Sequence, residues 1–229
     1  MKKKAINERI VKRIFDVVVS GFFLIILAPF FILIALLLKL EGLMNPSLRG
    51  PVFYKEIRIS KGKPFNIYKF RAVRYNILEL VKKEKVSITE FTAKRNKSKY
   101  LTPVGVFLAQ IYFDELPQFF NVLKGDMSLV GPRPHVPEHY ASDLREGIVA
   151  AKYIKAGVMG LVQGSKGNSK MRNALARMAT KHAIKNKTIV FIDRLYFQKY
   201  LKASAIEMLF YDIGIMFQCL RVVLEAKGI

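Results

Sequence analysis

The longest feature of the hydrophobic pattern is an uncharged apolar run from Val17 to Leu38. As a straight helix its 22 residues would span about 33 Å, which is close to the thickness of a bilayer's hydrocarbon core. A cleaved signal peptide is the competing interpretation, since lysines stand at positions 2 to 4. Against it, the run exceeds the roughly 7 to 15 apolar residues of such peptides, and no small-residue cleavage site follows. The pattern therefore predicts a retained membrane segment.

The flanks and the middle of this run bear on its topology. Basic residues precede it between Lys2 and Arg13 and follow it between Lys39 and Arg58, so both ends are expected on the cytoplasmic side. Pro29, near the centre, lacks an N–H and predicts a kink. A kinked helix that enters and leaves by one face satisfies both flanks, whereas a transmembrane helix with a tolerated proline is common. The pattern leaves both topologies open.

Shorter patterns follow the apolar run. Gly50–Tyr54 and Pro64–Arg71 predict two strands, and the Lys-Gly-Lys between them predicts a turn. Leu116–Lys124 predicts a short helix that Gly125 ends. Tyr196–Ala226 predicts one long helix, whose apolar positions are Leu201, Ala205, Met208, Leu209, Ile213, Phe217 and Leu220.

The charge balance indicates the kind of partner. The chain has 39 Lys and Arg against 17 Asp and Glu, so its net charge of +22 predicts a polyanionic partner. A hydrophobic content of 52% with 17 Phe excludes a disordered polycation. The single cysteine, Cys219, excludes an internal disulfide and a thiolate zinc cluster, and its apolar helical neighbours predict a buried side chain. Lys82–Tyr100 is basic without apolar periodicity, which is typical of a loop or frayed helix near anionic lipid or of a solvated linker.

Two adjacent carboxylates form the first candidate site. Pro117 is tolerated only in the first turn of a helix, so Asp114 and Glu115 are expected at a helix N-terminus, where free N–H groups favour anions. A Mg²⁺ ion held by one or both carboxylates would relieve their repulsion and could bridge a diphosphate. The alternative is an Asp that caps the helix beside an exposed Glu.

A proline-flanked arginine forms the second candidate site. Arg133 lies between Pro132 and Pro134, and Gly131 precedes this segment. Because each proline fixes its own φ, this segment can aim a guanidinium at a phosphate with little ordering cost. A stiff turn with an exposed arginine is the alternative interpretation.

Taken together, these segments resemble the bacterial sugar transferase family, the monotopic polyprenyl-phosphate phosphoglycosyl transferases. The resemblance covers nearly the whole chain, and eight blocks in register are far more specific than any one short motif. Besides the apolar segment, the blocks are Lys12–Asp16, Gly50–Phe53, Tyr68–Arg71, Leu101–Gly105, Asp114–Gln118, Asn121–Lys124 and Gly125–Pro134.

The resemblance implies an α+β fold in two parts. Residues 1–48 would form the basic N-terminus and a re-entrant membrane helix. Residues 49–229 would form a small, mainly helical catalytic domain with a short β-hairpin and membrane-surface amphipathic helices. Ser165–Lys187 is expected to form either such a lipid-contacting helix or a helix packed on the catalytic domain.

The resemblance also implies an activity at the cytoplasmic face of the bacterial inner membrane. Such enzymes transfer a sugar-1-phosphate from a UDP-sugar to polyprenyl phosphate and release UMP, as the first membrane step of a surface glycan pathway. Asp114 would form an aspartyl phosphosugar intermediate, and Glu115, with Asp114, would hold Mg²⁺. The remaining predicted site residues are phosphate-neutralising Lys69, Arg71 and Arg133 and substrate-orienting Gln118 and Gln163.

Anionic membrane lipid is an expected partner of such an enzyme, nucleic acid is not, and a homodimer stays open. The chain also departs from the family pattern at three places. After Lys-Phe-Arg, Ala72-Val73 replaces the family's Ser or Thr followed by Met. Ala28-Pro29 replaces the family's Ser-Pro pair at the helix break, and Lys155-Ala156 replaces an Arg-Pro expected at the rim of the active site. Two other classes fit parts of the sequence: a membrane-anchored basic nucleic-acid-binding module, and a scaffold that lost activity, which the intact Asp114–Glu115 pair argues against.

Overall fold

The computed structural model describes residues 9–83, 97–145, 147, 149–165, 173, 177 and 188–225. Most of Lys82–Tyr100 and of Ser165–Lys187 lies outside the described residues, so the interpretations of these two basic stretches stay predictions. Elsewhere the chain is mixed helix and strand and mostly helical, as predicted.

Helices make up most of the described part of the chain. They are α1 Ile10–Ile26, α2 Ala28–Met44, α3 Tyr75–Lys83, α4 Pro103–Gln110, α5 Gln118–Lys124, α6 Pro137–Arg145, α7 Ala150–Tyr153, α8 Leu161–Gly164, α9 Thr188–Lys202 and α10 Ala205–Leu224. The strands are β1 Phe53–Ser60, β2 Lys63–Phe70, β3 Ser128–Val130 and β4 Gly157–Met159. Short 3₁₀ turns lie at Pro46–Leu48, Lys97–Tyr100 and Phe113–Glu115.

The N-terminal apolar run forms a bent pair of helices. α1 and α2 meet at Leu27 with a bend of 56°. Pro29 lies in the first turn of α2, where its missing N–H removes the bond that a continuous helix would make to Ile25. The predicted kink is therefore confirmed. Among the described residues no single helix is long and apolar enough to cross a bilayer. Only α1 and α2 taken together, as this bent pair, have the required length and composition.

The predicted hairpin is also confirmed, with a longer first strand than the sequence indicated. β1 and β2 pair antiparallel over their whole length, from Phe53 opposite Phe70 to Ser60 opposite Lys63. Lys61 and Gly62 form the turn with positive φ values of 49° and 74°. Because paired residues share a face, this register determines which side chains of the hairpin reach the candidate site.

A second pair of strands was not predicted. β3 and β4 run parallel, with Ser128 opposite Gly157 and Val130 opposite Met159. Each strand has three residues, which is too short to give a period-two pattern. The hydrophobic core surrounds this pair, and α1 packs against the core through Phe15, Val19 and Phe23. Fully buried members of this core are Val122, Met127, Leu129, Val130, Tyr196, Met208 and Ile215.

The prediction of one long C-terminal helix is wrong. The chain breaks between α9 and α10, where the Ser204 hydroxyl accepts from the N–H of Glu207 and the Glu207 carboxylate accepts from the N–H of Ser204. The predicted apolar face is also only partly the buried one. Met208 and Cys219 are buried as expected, whereas Leu201, Phe217 and Leu220 are exposed.

A buried polar cluster joins α1 to α10. Lys12 of α1 forms an ion pair with Asp212 of α10, and its ammonium also donates to the carbonyl of Val130 at 2.9 Å. The Tyr196 hydroxyl donates to the other Asp212 oxygen at 2.8 Å. Asp16, one turn along α1, accepts from the Ser128 hydroxyl at 2.7 Å. The bent helix pair is thus attached to the rest of the chain by specific polar contacts as well as by apolar packing.

Candidate active site

The two adjacent carboxylates lie on a tight turn between α4 and α5. Tyr112 has a left-handed backbone with a φ of 59°, and the 3₁₀ turn that follows it contains Asp114 and Glu115. Pro117 is the N-cap of α5 and has no capping side chain, so neither carboxylate caps that helix. The turn therefore places both carboxylates just before the helix, as predicted.

Lys69 of β2 forms an ion pair with Glu115. Its ammonium donates to Glu115 Oε1 at 2.7 Å, and both side chains are about a quarter exposed, at 23% and 26%. Burial alone would lower the pKa of Lys69, but the neighbouring Glu115 and Asp114 raise it. Burial likewise would raise the pKa of Glu115, but Lys69, Arg133 and a hydrogen bond from Gln118 lower it. Both groups are consequently charged at neutral pH.

The loop that contains Arg133 is fixed on both sides. Gly157 donates its N–H to the Pro132 carbonyl at 2.9 Å. A Cβ on Gly157 would lie 2.1 Å from the Gly131 nitrogen, so the two glycines allow this close approach. On the other side, buried Asp193 of α9 accepts the N–H of Arg133. Burial raises the pKa of Asp193 to about 7.

Five predicted site residues line one small polar cavity of about 40 Å³: Lys69, Glu115, Gln118, Arg133 and Gln163. Among the described residues, the amide oxygen of Gln163 is buried without a hydrogen-bond partner. Asp114 is half-buried on the same turn as Glu115, and its charge acts on Lys69. Glu115 is thus the carboxylate that lines the cavity, and Asp114 lies beside it on the adjoining turn without lining the cavity. The cations that line the same space suit the handling of a diphosphate.

Arg71 lies apart from this cavity. Its side chain is 1% exposed, and its guanidinium donates to the backbone carbonyls of Leu48 at 3.0 Å and Pro51 at 2.8 Å. Although Lys69 and Arg71 are two residues apart, Arg71 follows the end of β2 and ties the hairpin to the segment after α2. The structure therefore does not bring Arg71 to the predicted phosphate site.

The structure adds Arg58 and Tyr112 to the cavity and places Lys155 elsewhere. Arg58 is buried, pairs with Glu56 at 2.7 Å, and shares a hairpin face with Lys69. Period-two alternation along β1 could have indicated it once the register was known. Lys155, expected at the rim of the site, instead lines a separate cavity beside Lys12.

The oxygen atoms of this site suit a magnesium ion. No cluster of three potential metal-ligating side chains occurs among the residues that the structure describes. Mg²⁺ is, however, commonly held by one or two carboxylates together with substrate phosphates and water. Asp114 and Glu115 are such carboxylates, and the unpartnered amide oxygen of Gln163 is a further oxygen atom at the same site. The residues present therefore fit Mg²⁺ bound together with a phosphate-bearing substrate.

Comparison with known proteins gives matches along nearly the whole chain. A family model described as bacterial sugar transferase matches residues 7–226. An undecaprenyl-phosphate galactose phosphotransferase of Salmonella typhimurium is 34% identical over 232 residues, which are 97% of this chain and 42% of that protein.

Two further relatives differ in length. An undecaprenyl-phosphate glucose phosphotransferase of Komagataeibacter xylinus is 36% identical over 174 residues, which are 72% of this chain and 30% of that protein. An exopolysaccharide production protein of Rhizobium leguminosarum bv. phaseoli is 34% identical over 200 residues, or 83% of this chain and 93% of that protein. The chain thus spans less than half the length of the two phosphotransferases and nearly all of the third relative.

Proposed function

This chain belongs to the bacterial sugar transferase family, and from that premise we propose that it transfers a sugar-1-phosphate from a UDP-sugar to polyprenyl phosphate. The names of the relatives support undecaprenyl phosphate as the acceptor and a hexose phosphate as the group transferred. The strongest structural support is the polar cavity in which Lys69, Arg133 and Gln118 surround Glu115. The product, a polyprenyl diphosphate sugar, would enter a surface glycan pathway.

The transfer takes two displacements at one phosphorus. The Asp114 carboxylate attacks the phosphorus that bears the sugar, and the bond from that phosphorus to the UMP oxygen breaks, which releases UMP. An oxygen of polyprenyl phosphate then attacks the same phosphorus, and the bond to Asp114 breaks. The carboxylate is restored, and the sugar phosphate ends on the lipid phosphate. Phosphoryl transfer of this kind depends mainly on placement and charge neutralisation.

The surrounding side chains supply that placement and neutralisation. Lys69 and Arg133 face the cavity as cations, and Arg58 adds a third. Gln118, which is 2% exposed, orients Glu115 through its hydrogen bond. Gln163 offers its amide oxygen to the substrate as a hydrogen-bond acceptor. Mg²⁺, held by Asp114 and Glu115, would supply additional neutralisation of the diphosphate charge.

The membrane location belongs to the same proposal. The bent α1–α2 pair would enter and leave the cytoplasmic leaflet of the inner membrane, with both basic flanks in the cytoplasm. Apolar side chains along both helices are exposed, among them Phe22, Ile25, Leu33 and Leu36, and lipid would cover them. The net charge of +22 favours anionic headgroups at that surface.

The test is UMP release from a panel of UDP-sugars with undecaprenyl phosphate and Mg²⁺ in detergent. Asp114→Asn should abolish turnover while the protein stays folded, because the amide is nearly isosteric but cannot act as the nucleophile. Asp126→Asn is the matched control, since Asp126 forms a partly exposed ion pair with Lys124 at 3.0 Å, outside the cavity. Retention of more than a few per cent of activity by Asp114→Asn would refute the assigned nucleophile.

A further inference from the structure

A second cavity adjoins the polar one on its apolar side. It has a volume of about 130 Å³, and its walls come from α5, β4 and α10. Tyr112, Glu115 and Gln163 line both cavities, so the two open onto the same carboxylate. The walls beyond that junction are apolar: Leu116, Phe119, Met159, Cys219, Val222 and Val223. A ligand could therefore place a charged group at Glu115 and a hydrocarbon group among these side chains.

The size and lining of this cavity suit one branched five-carbon unit. An apolar protein cavity of about 150 Å³ accommodates a benzene ring, so a cavity slightly smaller can hold an isoprene unit. A pyrimidine base has a similar volume but carries carbonyl and N–H groups. Against Phe119 and Val222 those groups would lose their hydrogen bonds to water. Among the described lining residues, polar partners stand only at the junction with the first cavity, so the apolar walls favour the isoprene unit over the base.

Apolar surface borders the cavity on two sides. Phe119 stacks on Phe23 of α1 with ring centroids 5.5 Å apart, so the cavity wall is continuous with the bent helix pair. On α10, Leu220 and Leu224 neighbour the lining residues along the chain and are 51% and 77% exposed. The remainder of a long isoprenoid chain leaving the cavity would thus have these apolar side chains within reach.

We propose that this second cavity holds the isoprene unit next to the phosphate of the polyprenyl phosphate acceptor. The inference rests on the proposed function and assigns the acceptor to the α10 side of Glu115, opposite the cations that receive the UDP-sugar. Val222 and Val223 are then specificity-determining residues for the lipid, and they lie far from the catalytic turn in the sequence. With the first isoprene unit held there, the acceptor phosphate stands at the junction beside Glu115 and Gln163.

The first experiment fills the cavity. Val223→Phe places a larger ring where the isoprene unit would lie, and Ile206→Phe adds the same group at an exposed position in the first turn of α10, outside the cavity lining. Val223→Phe should raise KM for polyprenyl phosphate about tenfold, the loss expected when two methylene groups are no longer buried. KM for the UDP-sugar should stay within about twofold of the parent, and Ile206→Phe should change neither constant.

The second experiment tests binding directly and does not depend on turnover. Farnesyl phosphate with a diazirine on the isoprene unit next to the phosphate is photolysed with the unmodified chain, and the labelled peptides are identified by mass spectrometry. Labelling within residues 219–223 or at Phe119, reduced by undecaprenyl phosphate, supports the proposal. Labelling confined to other segments would overturn it, even if Val223→Phe fails to fold.

The two proposals fail in distinguishable ways. If the unmodified chain releases no UMP with any UDP-sugar, the proposed function fails, whatever the labelling pattern. If UMP is released but Val223→Phe leaves KM for the acceptor unchanged, the function stands and the assignment of the cavity is overturned. A rise confined to KM for the UDP-sugar would assign the cavity to the nucleotide and also overturn it.

Discussion

The ion pair between Lys12 and Asp212 allows a quantitative test of how the bent helix pair is attached. Lys12 is 8% exposed and Asp212 is 1% exposed, so both charges are shielded from water. Replacing Lys12 by Met keeps the length of the side chain but removes the cation, and the Tyr196 hydroxyl still donates to Asp212. An uncompensated buried charge of this kind costs about 3–5 kcal/mol in free energy of unfolding.

Removing the other partner, Asp212, should lower the free energy of unfolding by a similar amount. The loss in the double variant should be smaller than the sum of the two single losses. Asp212→Leu removes the carboxylate and leaves the Lys12 ammonium donating to the Val130 carbonyl. In Lys12→Met/Asp212→Leu neither charge remains, so the loss should be smaller than the sum of the single losses by about 2–3 kcal/mol. Apolar packing between α1 and α10 is retained in the double variant.

The assay is equilibrium unfolding in detergent micelles, with helical content followed as denaturant increases. Arg221→Met is the control, because the pair of Arg221 with Glu225 is largely exposed, at 72% for the arginine side chain. That control should lose less than about 1 kcal/mol. Additive single losses in the double variant, or a loss below about 1 kcal/mol for Lys12→Met, would show that this ion pair does not hold the bent helix pair in place.

Asp193, Gly105 and Lys69 each allow a test of a single contact. Burial raises the pKa of Asp193 from 3.8 to about 7, so the folded state binds the extra proton and stability falls as pH rises from about 4 to 7. Asp193→Asn should remove this pH-dependent fall of about 4 kcal/mol in the free energy of unfolding. If denaturant unfolding of the variant shows the same pH profile as the parent, Asp193 is not the group responsible. Gly105→Ala should lose about 3 kcal/mol or more in the same assay, because the new Cβ would lie 2.0 Å from the Ala72 carbonyl oxygen, and a loss below about 1 kcal/mol would exclude that clash. Lys69→Met should lower kcat at least about 100-fold, whereas Lys63→Met at the exposed end of the hairpin should not; equal rates would exclude Lys69 from the chemistry.

Local chemistry determined several features without any knowledge of the fold. Pro29 lacks an N–H wherever it lies, so the sequence alone predicted a kink beside it. Gly125 ends α5 with a φ of 89°, as a glycine after an apolar helical pattern predicts. Asp114 and Glu115 precede Pro117, so the chain order alone placed them just before a helix. Each of these follows from residues within about one turn of one another.

Tertiary structure decided which distant side chains meet. Lys69 and Arg71 look equivalent in sequence, but Lys69 reaches Glu115 while Arg71 donates to backbone carbonyls, because the strand ends between them. The buried face of α10 is the one that contains Asp212, which pairs with Lys12 from the other end of the chain. No local pattern encodes that pairing, since a buried Asp is tolerated only where a distant partner compensates its charge.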